Sequence, residues 1–149
     1  MKLTHCLLFT FILLAFNASW AHKTQPTKSS QYRQTQISES LSMLSSKGGN
    51  IIVSEGKDGL LIIDNGYSDL ADNLANTLER GSHGFKLKYI INTHWHFDHT
   101  GGNEKLGGDA IIIAHDAVRT RLANPAQIPF FKYKSGAHPE QALPTLTYP

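Results

Sequence analysis

Between Asn92 and Asn103 the chain reads NTHWHFDHTGGN, and within it His94-x-His96-x-Asp98-His99 places three histidines and an aspartate in six positions. Neutral imidazole and carboxylate are suitable zinc ligands, at about 2.0–2.2 Å. His94 and His96 are two apart, so on an extended segment they point to one side and can grip one ion. Asp98 and His99 come just after, where the chain turns, and can face a second position a few ångströms away. Two ions about 3.5–4 Å apart can generate a bound hydroxide and also polarise a carbonyl or phosphoryl oxygen. The plain alternative is a run of exposed histidines without chemistry. Context argues against it: a buried strand precedes the cluster, Gly101-Gly102 lets the backbone fold tightly after it, and strand C-terminal ends are where α/β sheets place their sites.

The rest of the 149 residues must position that loop. The first 21 have the pattern of a secretory signal peptide: Lys2, the apolar run Cys6 to Phe16, then Ser19 and Ala21 at the −3 and −1 positions of a cleavage site before His22. The run falls short of the roughly 18 apolar residues a membrane span needs. Cys6 opens the run and does not follow it, which excludes a lipoprotein anchor. The expectation is export, to the periplasm or beyond, with no stable membrane anchor after cleavage near Ala21. Cys6 is the only cysteine, so a mature chain has neither a disulfide nor a thiolate ligand, and any zinc must rely on His and carboxylate. Removing Lys2 from the 14 Lys and Arg leaves 13 against 12 Asp and Glu, dispersed without a basic stripe, so nucleic acid is not an expected partner.

Residues 22–36 are polar and read as a flexible lead-in, with the domain at 37–149. Leu41 to Leu44 is a plausible short strand. Asn50–Ser54 and Leu60–Asp64, joined by turn-rich Glu55–Gly59, predict a hairpin. Leu70, Ala71, Leu74, Ala75 and Leu78 recur at helical spacing, with Ser68 where an N-cap belongs and Arg80-Gly81 at the stop. Leu87–Asn92 is a strand leading into the histidine cluster, Ala110–Ala114 another, and Asp116–Leu122 a short helix. From Asn124 onward, Pro125, Pro129, Pro139, Pro144 and Pro149 predict loop. Strands alternating with helices give an α/β class, and strands apolar at consecutive positions expect cover on both faces.

His94-x-His96-x-Asp98-His99, preceded by Thr93 and followed by Gly101-Gly102, resembles the signature of the metallo-β-lactamase superfamily. Gly49–Val53, Leu60-Leu-Ile-Ile-Asp64-Asn-Gly66 and the helix after them are similar to that family's opening hairpin, first aspartate motif and first helix. The likeness runs from about Leu41 to Leu122, and the texture from Ala114 to Pro144 resembles exported bacterial metallo-hydrolases of the superfamily. It implies a zinc hydrolase of small molecules with an α/β (α+β layered) αββα sandwich and up to two Zn2+ ions. His94 and His96 would hold the first ion, Asp98 and His99 the second. Asp98 would also hold the attacking water and handle its proton, which makes it the implied catalytic side chain. Asp64 would buttress the histidine loop through hydrogen bonds; its other reading is a strand-end aspartate capping the next turn.

The superfamily's remaining ligands lie in the second half of its fold: a histidine for each metal and often a bridging aspartate. Downstream this sequence offers only His115 and His138. His115 reads as a residue beside the substrate or as a structural one, His138 lies in a loop without the framework a ligand needs, and His83 reads as a solvated loop residue. The expectation is therefore a truncated domain, roughly the first half of the sandwich, with impaired hydrolysis. One apolar sheet face, around Ile51–Val53, Leu61–Ile63 and Ile111–Ile113, would lack cover and invite self-association. A zinc hydrolase acting on ester, thioester, lactone or β-lactam bonds and a non-catalytic, metal-binding or oligomer-forming remnant are the two readings that remain.

Overall fold

The computed structural model describes residues 31–149; the expected signal peptide and most of the polar lead-in lie outside the described residues. The elements in order are β1 (Arg33–Gln36), β2 (Leu41–Ser46), β3 (Gly49–Gly56), β4 (Gly59–Ile63), α1 (Ala71–Gly81), β5 (Leu87–Ile91), α2 (Phe97–Thr100), α3 (Asn103–Leu106), β6 (Ile111–His115), α4 (Asp116–Leu122), β7 (Ala126–Ile128), β8 (Tyr133–Ser135) and β9 (Leu146–Tyr148). Seven strands form one mixed sheet in the order β1-β2-β3-β4-β5-β6-β9, antiparallel as far as β4 and parallel beyond it. Strands β7 and β8 form a separate antiparallel hairpin.

The β3–β4 hairpin closes where Gly56 pairs with Gly59. Gly59 has φ of 119°, and a Cβ there would stand 2.7 Å from the Lys86 carbonyl oxygen, so this turn takes glycine on two grounds. Helix α1 follows its apolar spacing, burying Ala71, Leu74 and Leu78. Its expected Ser68 N-cap is not made. A 3-10 turn at Ser68–Leu70 leads into the helix, and the leading amides of Leu70 and Ala71 bond to the Tyr67 and Ser68 carbonyls. Backbone acceptors thus do the work of a capping side chain.

Successive side chains of a strand point to opposite faces, and the two faces here differ. Leu44, Ile51, Val53, Leu60, Ile62, Ile90 and Ile112 pack against Leu70, Leu74, Leu78 and Leu106 of the helical layer. Ala114, two residues beyond Ile112, meets Val118 and Leu122 of α4 on that same face. On the opposite face, cross-strand pairing aligns Met43, Ile52, Ile63, Ile91, Ile113 and Leu146 in one row. These are partly or fully exposed. The described residues therefore supply one helical layer and one sheet of the expected sandwich.

Two expectations need correction. Arg33–Gln36, placed in the flexible lead-in, pairs with β2 as an edge strand, and Tyr32 before it is buried. The segment after Asn124 is not all loop, since it forms β7, β8 and the parallel edge strand β9. Its prolines flank these strands and do not interrupt them, so no ladder amide is lost. Among the described residues no helix is long and apolar enough to cross a membrane.

Candidate metal centre

Strands β4 and β5 are parallel neighbours, and their C-terminal ends place Asp64 beside the start of the histidine loop. Asp64 has φ of 60°, in the left-handed region that non-glycine residues seldom occupy. Its backbone N–H donates to the Ile91 carbonyl at 2.8 Å, and its buried carboxylate faces the loop. Oδ1 accepts from the Thr93 N–H at 2.8 Å, and Oδ2 from the Thr93 hydroxyl at 2.8 Å. Oδ2 also lies 2.8 Å from His99 Nδ1. A carboxylate only accepts, so this contact places a proton on His99 Nδ1 and leaves Nε2 as the nitrogen that can meet an ion. Asp64 thus ties the loop by three hydrogen bonds, beyond what a local turn cap does.

His99 Nε2 is 3.4 Å from Asp98 Oδ2. Two donors about 2.0–2.2 Å from one tetrahedral ion stand roughly 3.3–3.6 Å apart, so this pair already has the spacing of shared ligands. The His94 ring lies 4.0 Å from that of His99 and 4.6 Å from that of His96. Burial, followed by the proximity of His99 and His96, lowers the His94 pKa below 6.5, against smaller opposing pulls from Asp64 and Asp98. The neutral form, which binds metal, is favoured. His96 contributes its carbonyl as acceptor for the His99 and Thr100 amides, and its ring stands 4.8 Å from Trp95.

The four expected ligand residues therefore come together at one strand end, and the donor set fits zinc in kind. Among the described residues, no three His, Cys, Asp or Glu side chains already surround one point as a closed ligand group. His99 is set by Asp64 with Asp98 beside it, whereas His94 Nδ1 is turned to the Thr93 hydroxyl at 3.1 Å. His115 takes the structural role: its Nδ1 accepts from the Ala117 N–H at 3.0 Å, capping α4, and its ring meets Tyr148. The His138 N–H bonds to the Leu122 carbonyl, and exposed His83 contacts Glu55 at 3.0 Å.

Several residues with a part in this site were not singled out from sequence. Thr93 touches Asp64, His94 and His99 at once. Beneath the loop lie three buried asparagines, Asn65, Asn92 and Asn103. Asn65 Oδ1 accepts from the Gly102 N–H at 2.8 Å, and its Nδ2 donates to Asn103 Oδ1 at 2.5 Å. Asn103 Nδ2 donates to Asn92 Oδ1 at 2.8 Å and to the Ala142 carbonyl at 2.9 Å. Asn92 Nδ2 reaches the His99 carbonyl at 3.4 Å. The only sequence signal was position, since each sits at a strand end or directly after a glycine pair. Gly101 is packed against backbone, where a Cβ would stand 2.7 Å from the Gly66 carbonyl oxygen. Phe97, inside the cluster, stacks on Tyr67 and on Tyr133 of the β7–β8 hairpin, at 5.7 and 4.5 Å between ring centroids. Phe130 and Phe131 at the hairpin tip extend this aromatic wall into solvent.

A mixed sheet carrying a His-Asp donor loop at the end of a central parallel strand defines an α/β protein with a candidate metal-holding loop. The chain belongs to the metallo-beta-lactamase superfamily, whose sequence model matches residues 46–141. A HARLDQ-motif mutant metallo-beta-lactamase of Cronobacter sakazakii is 25% identical with a TM-score of 0.55, over 61% of this chain and 37% of that one. MEM-A1, a subclass B3 metallo-beta-lactamase from a soil metagenome library, shares the fold with a TM-score of 0.61 at 22% identity, over 78% of this chain and 45% of that one. An atrochrysone carboxyl ACP thioesterase of Cryptosporiopsis sp. is 44% identical over 52 residues, 34% of this chain and 16% of that protein. The chain thus spans under half the length of these relatives.

Proposed function

We propose that this chain carries the metal-holding loop of a zinc-dependent hydrolase that attacks an ester, thioester, lactone or β-lactam bond of a small molecule. His94 and His96 would hold one ion, and Asp98 and His99 a second. Bound zinc supplies a Lewis acid and lowers the pKa of water. Asp64 keeps the His99 proton on Nδ1, so that Nε2 stays available. Asp98 orients the attacking water and receives its proton. The observation that carries the reading is the contact chain Asp64–His99–Asp98, at 2.8 and 3.4 Å. Four ligand side chains shared between two ions fall short of the three protein ligands plus water usual at each catalytic zinc, so turnover by this chain alone is expected to be weak.

The test is zinc stoichiometry of the purified chain together with turnover of a thioester and of nitrocefin; the thioester is included because of the Cryptosporiopsis relative. Two bound zinc ions and turnover abolished by His96→Ala support the proposal. The second reading, a non-catalytic metal-binding or self-associating protein, draws on the apolar row from Met43 to Leu146 and on the absence of a closed ligand group among the described residues. Zinc binding without turnover, with a sedimentation coefficient above the monomer value, selects it. Export with cleavage near Ala21 completes the proposal, supported by the leader pattern and tested by N-terminal sequencing of the mature protein.

A further inference from the structure

We infer that Asn65, Asn92 and Asn103 form a directional carboxamide relay that positions His99, with Asn103 as its centre. This inference rests on the proposed role of His99 as a metal ligand. The three side chains bring desolvated amides into the interior, a cost that their hydrogen bonds must offset. What they gain is a circuit that leaves the histidine loop at the Gly102 N–H and re-enters it at the His99 carbonyl. In between it crosses the ends of β4 and β5, the start of α3, and the carbonyl of Ala142 from the chain's last segment.

Backbone groups fix the sense of every amide in the circuit. The Gly102 N–H can only donate, which sets the oxygen of Asn65 toward it and its nitrogen toward Asn103. The carbonyls of Ala142 and His99 can only accept, which sets the nitrogens of Asn103 and Asn92. The remaining link, Asn103 Nδ2 to Asn92 Oδ1, is then the only consistent choice. Because the orientations are interlocked, an error at Asn103 cannot remain local. Asn103→Asp keeps the shape but removes both donors, so an oxygen faces Asn92 Oδ1 and the Ala142 carbonyl. If Asn92 turns its amide to repair the first mismatch, its oxygen faces the His99 carbonyl and the mismatch reaches the ligand residue. The His99 carbonyl then keeps its bond from the Asn65 N–H at 3.0 Å but loses its second donor, and the imidazole leaves the line of Asp64 Oδ2.

The test uses the full chain without metal and reads the imidazole tautomers by long-range proton–nitrogen correlation. Wild-type His99 is expected as a single Nδ1–H tautomer. Asn103→Asp should show a mixed or Nε2–H His99 while His115 signals stay in place, and about a tenfold or greater loss of zinc affinity should accompany it. If Asn103→Asp does not fold, Asn92→Ala, which removes the arm to the His99 carbonyl together with the acceptor for Asn103 Nδ2, is read the same way. An unchanged His99 tautomer in a folded variant overturns the relay. Failure of the wild-type chain to take up zinc overturns the proposed function instead, and the tautomer experiment still decides the relay.

Discussion

His96 and His99 lie one helical turn apart in the same loop, yet the fold treats them differently. His99 is fixed from two sides, its Nδ1 on the buried Asp64 carboxylate and its carbonyl on the amide of Asn65 and the side chain of Asn92. His96 is held through its backbone, and the ring contacts described for it are with His94 and Trp95. The lesson is that half of the site is prearranged by tertiary structure and half is left to local chain geometry. Ligands held by outer hydrogen bonds lose less freedom on binding an ion, so the Asp98–His99 half should bind first.

The largest test of that asymmetry is Asp64. Asp64→Ala leaves the Thr93 N–H and His99 Nδ1 without their acceptor, and the fold should lose about 2–4 kcal/mol, measured as the shift in denaturant midpoint. Asp64→Asn is the sharper variant. With its oxygen kept toward the Thr93 N–H, its NH2 faces His99 Nδ1, which must then accept, moving the ring proton to Nε2. Stability should fall by less, while zinc uptake at the Asp98–His99 pair drops by tenfold or more in calorimetric titration. Equal zinc binding by Asp64→Asn and wild type would mean that the carboxylate does not set the tautomer.

Next in size comes the pair of histidine deletions. His99→Ala abandons a buried carboxylate's hydrogen bond and should destabilise the metal-free protein by about 1.5–3 kcal/mol. His96→Ala should lie within roughly 0.5 kcal/mol of wild type, because the partly exposed ring gives up no hydrogen bond described here. Both should reduce zinc stoichiometry. Equal stability losses would erase the distinction between a built half and a free half. Thr93→Val is smaller again: the Thr93 N–H bond to Asp64 survives, the hydroxyl contacts to Asp64, His94 and His99 go, and about 1 kcal/mol is expected by thermal melting.

The legibility of the molecule in its sequence divides along a similar line. Helix α1 and strands β2 to β6 were readable because their signals are local, an apolar period of 3.6 or a β-branched run between turn residues. The histidine loop stood out by density alone. Strands β1, β7, β8 and β9 were not, since runs of three or four residues are too short to show a period, and β9 pairs only with β6, far back along the chain. Leu60 to Ile63 and Ile111 to Ile113 are apolar throughout, so only the register decides that Ile62 and Ile112 are buried while Ile63 and Ile113 belong to the open face. Asn65 and Asn103 stayed hidden because Asn beside glycine ordinarily signals an exposed turn. One partner of Asn103, the Ala142 carbonyl, lies 39 positions beyond it.

The smallest effect concerns His94, which lies between the two halves. In the unfolded chain an imidazole titrates near 6.5, and in the fold burial first, then His99 and His96, hold it lower. Between the folded value and about 6.5 the unfolded state binds more protons, so stability rises with pH in that window and is flat for this group on either side. The metal-free protein should therefore lose stability as pH falls below about 6.5. His94→Gln should remove part of that slope, read as denaturant midpoints at pH 7.5 and 5.5. A proton NMR titration of His94 gives the direct value, and a midpoint at or above 6.5 contradicts the argument. In His96→Ala the depression should shrink yet persist, because burial is its largest cause and the nearer imidazole, His99, is the one Asp64 holds in place.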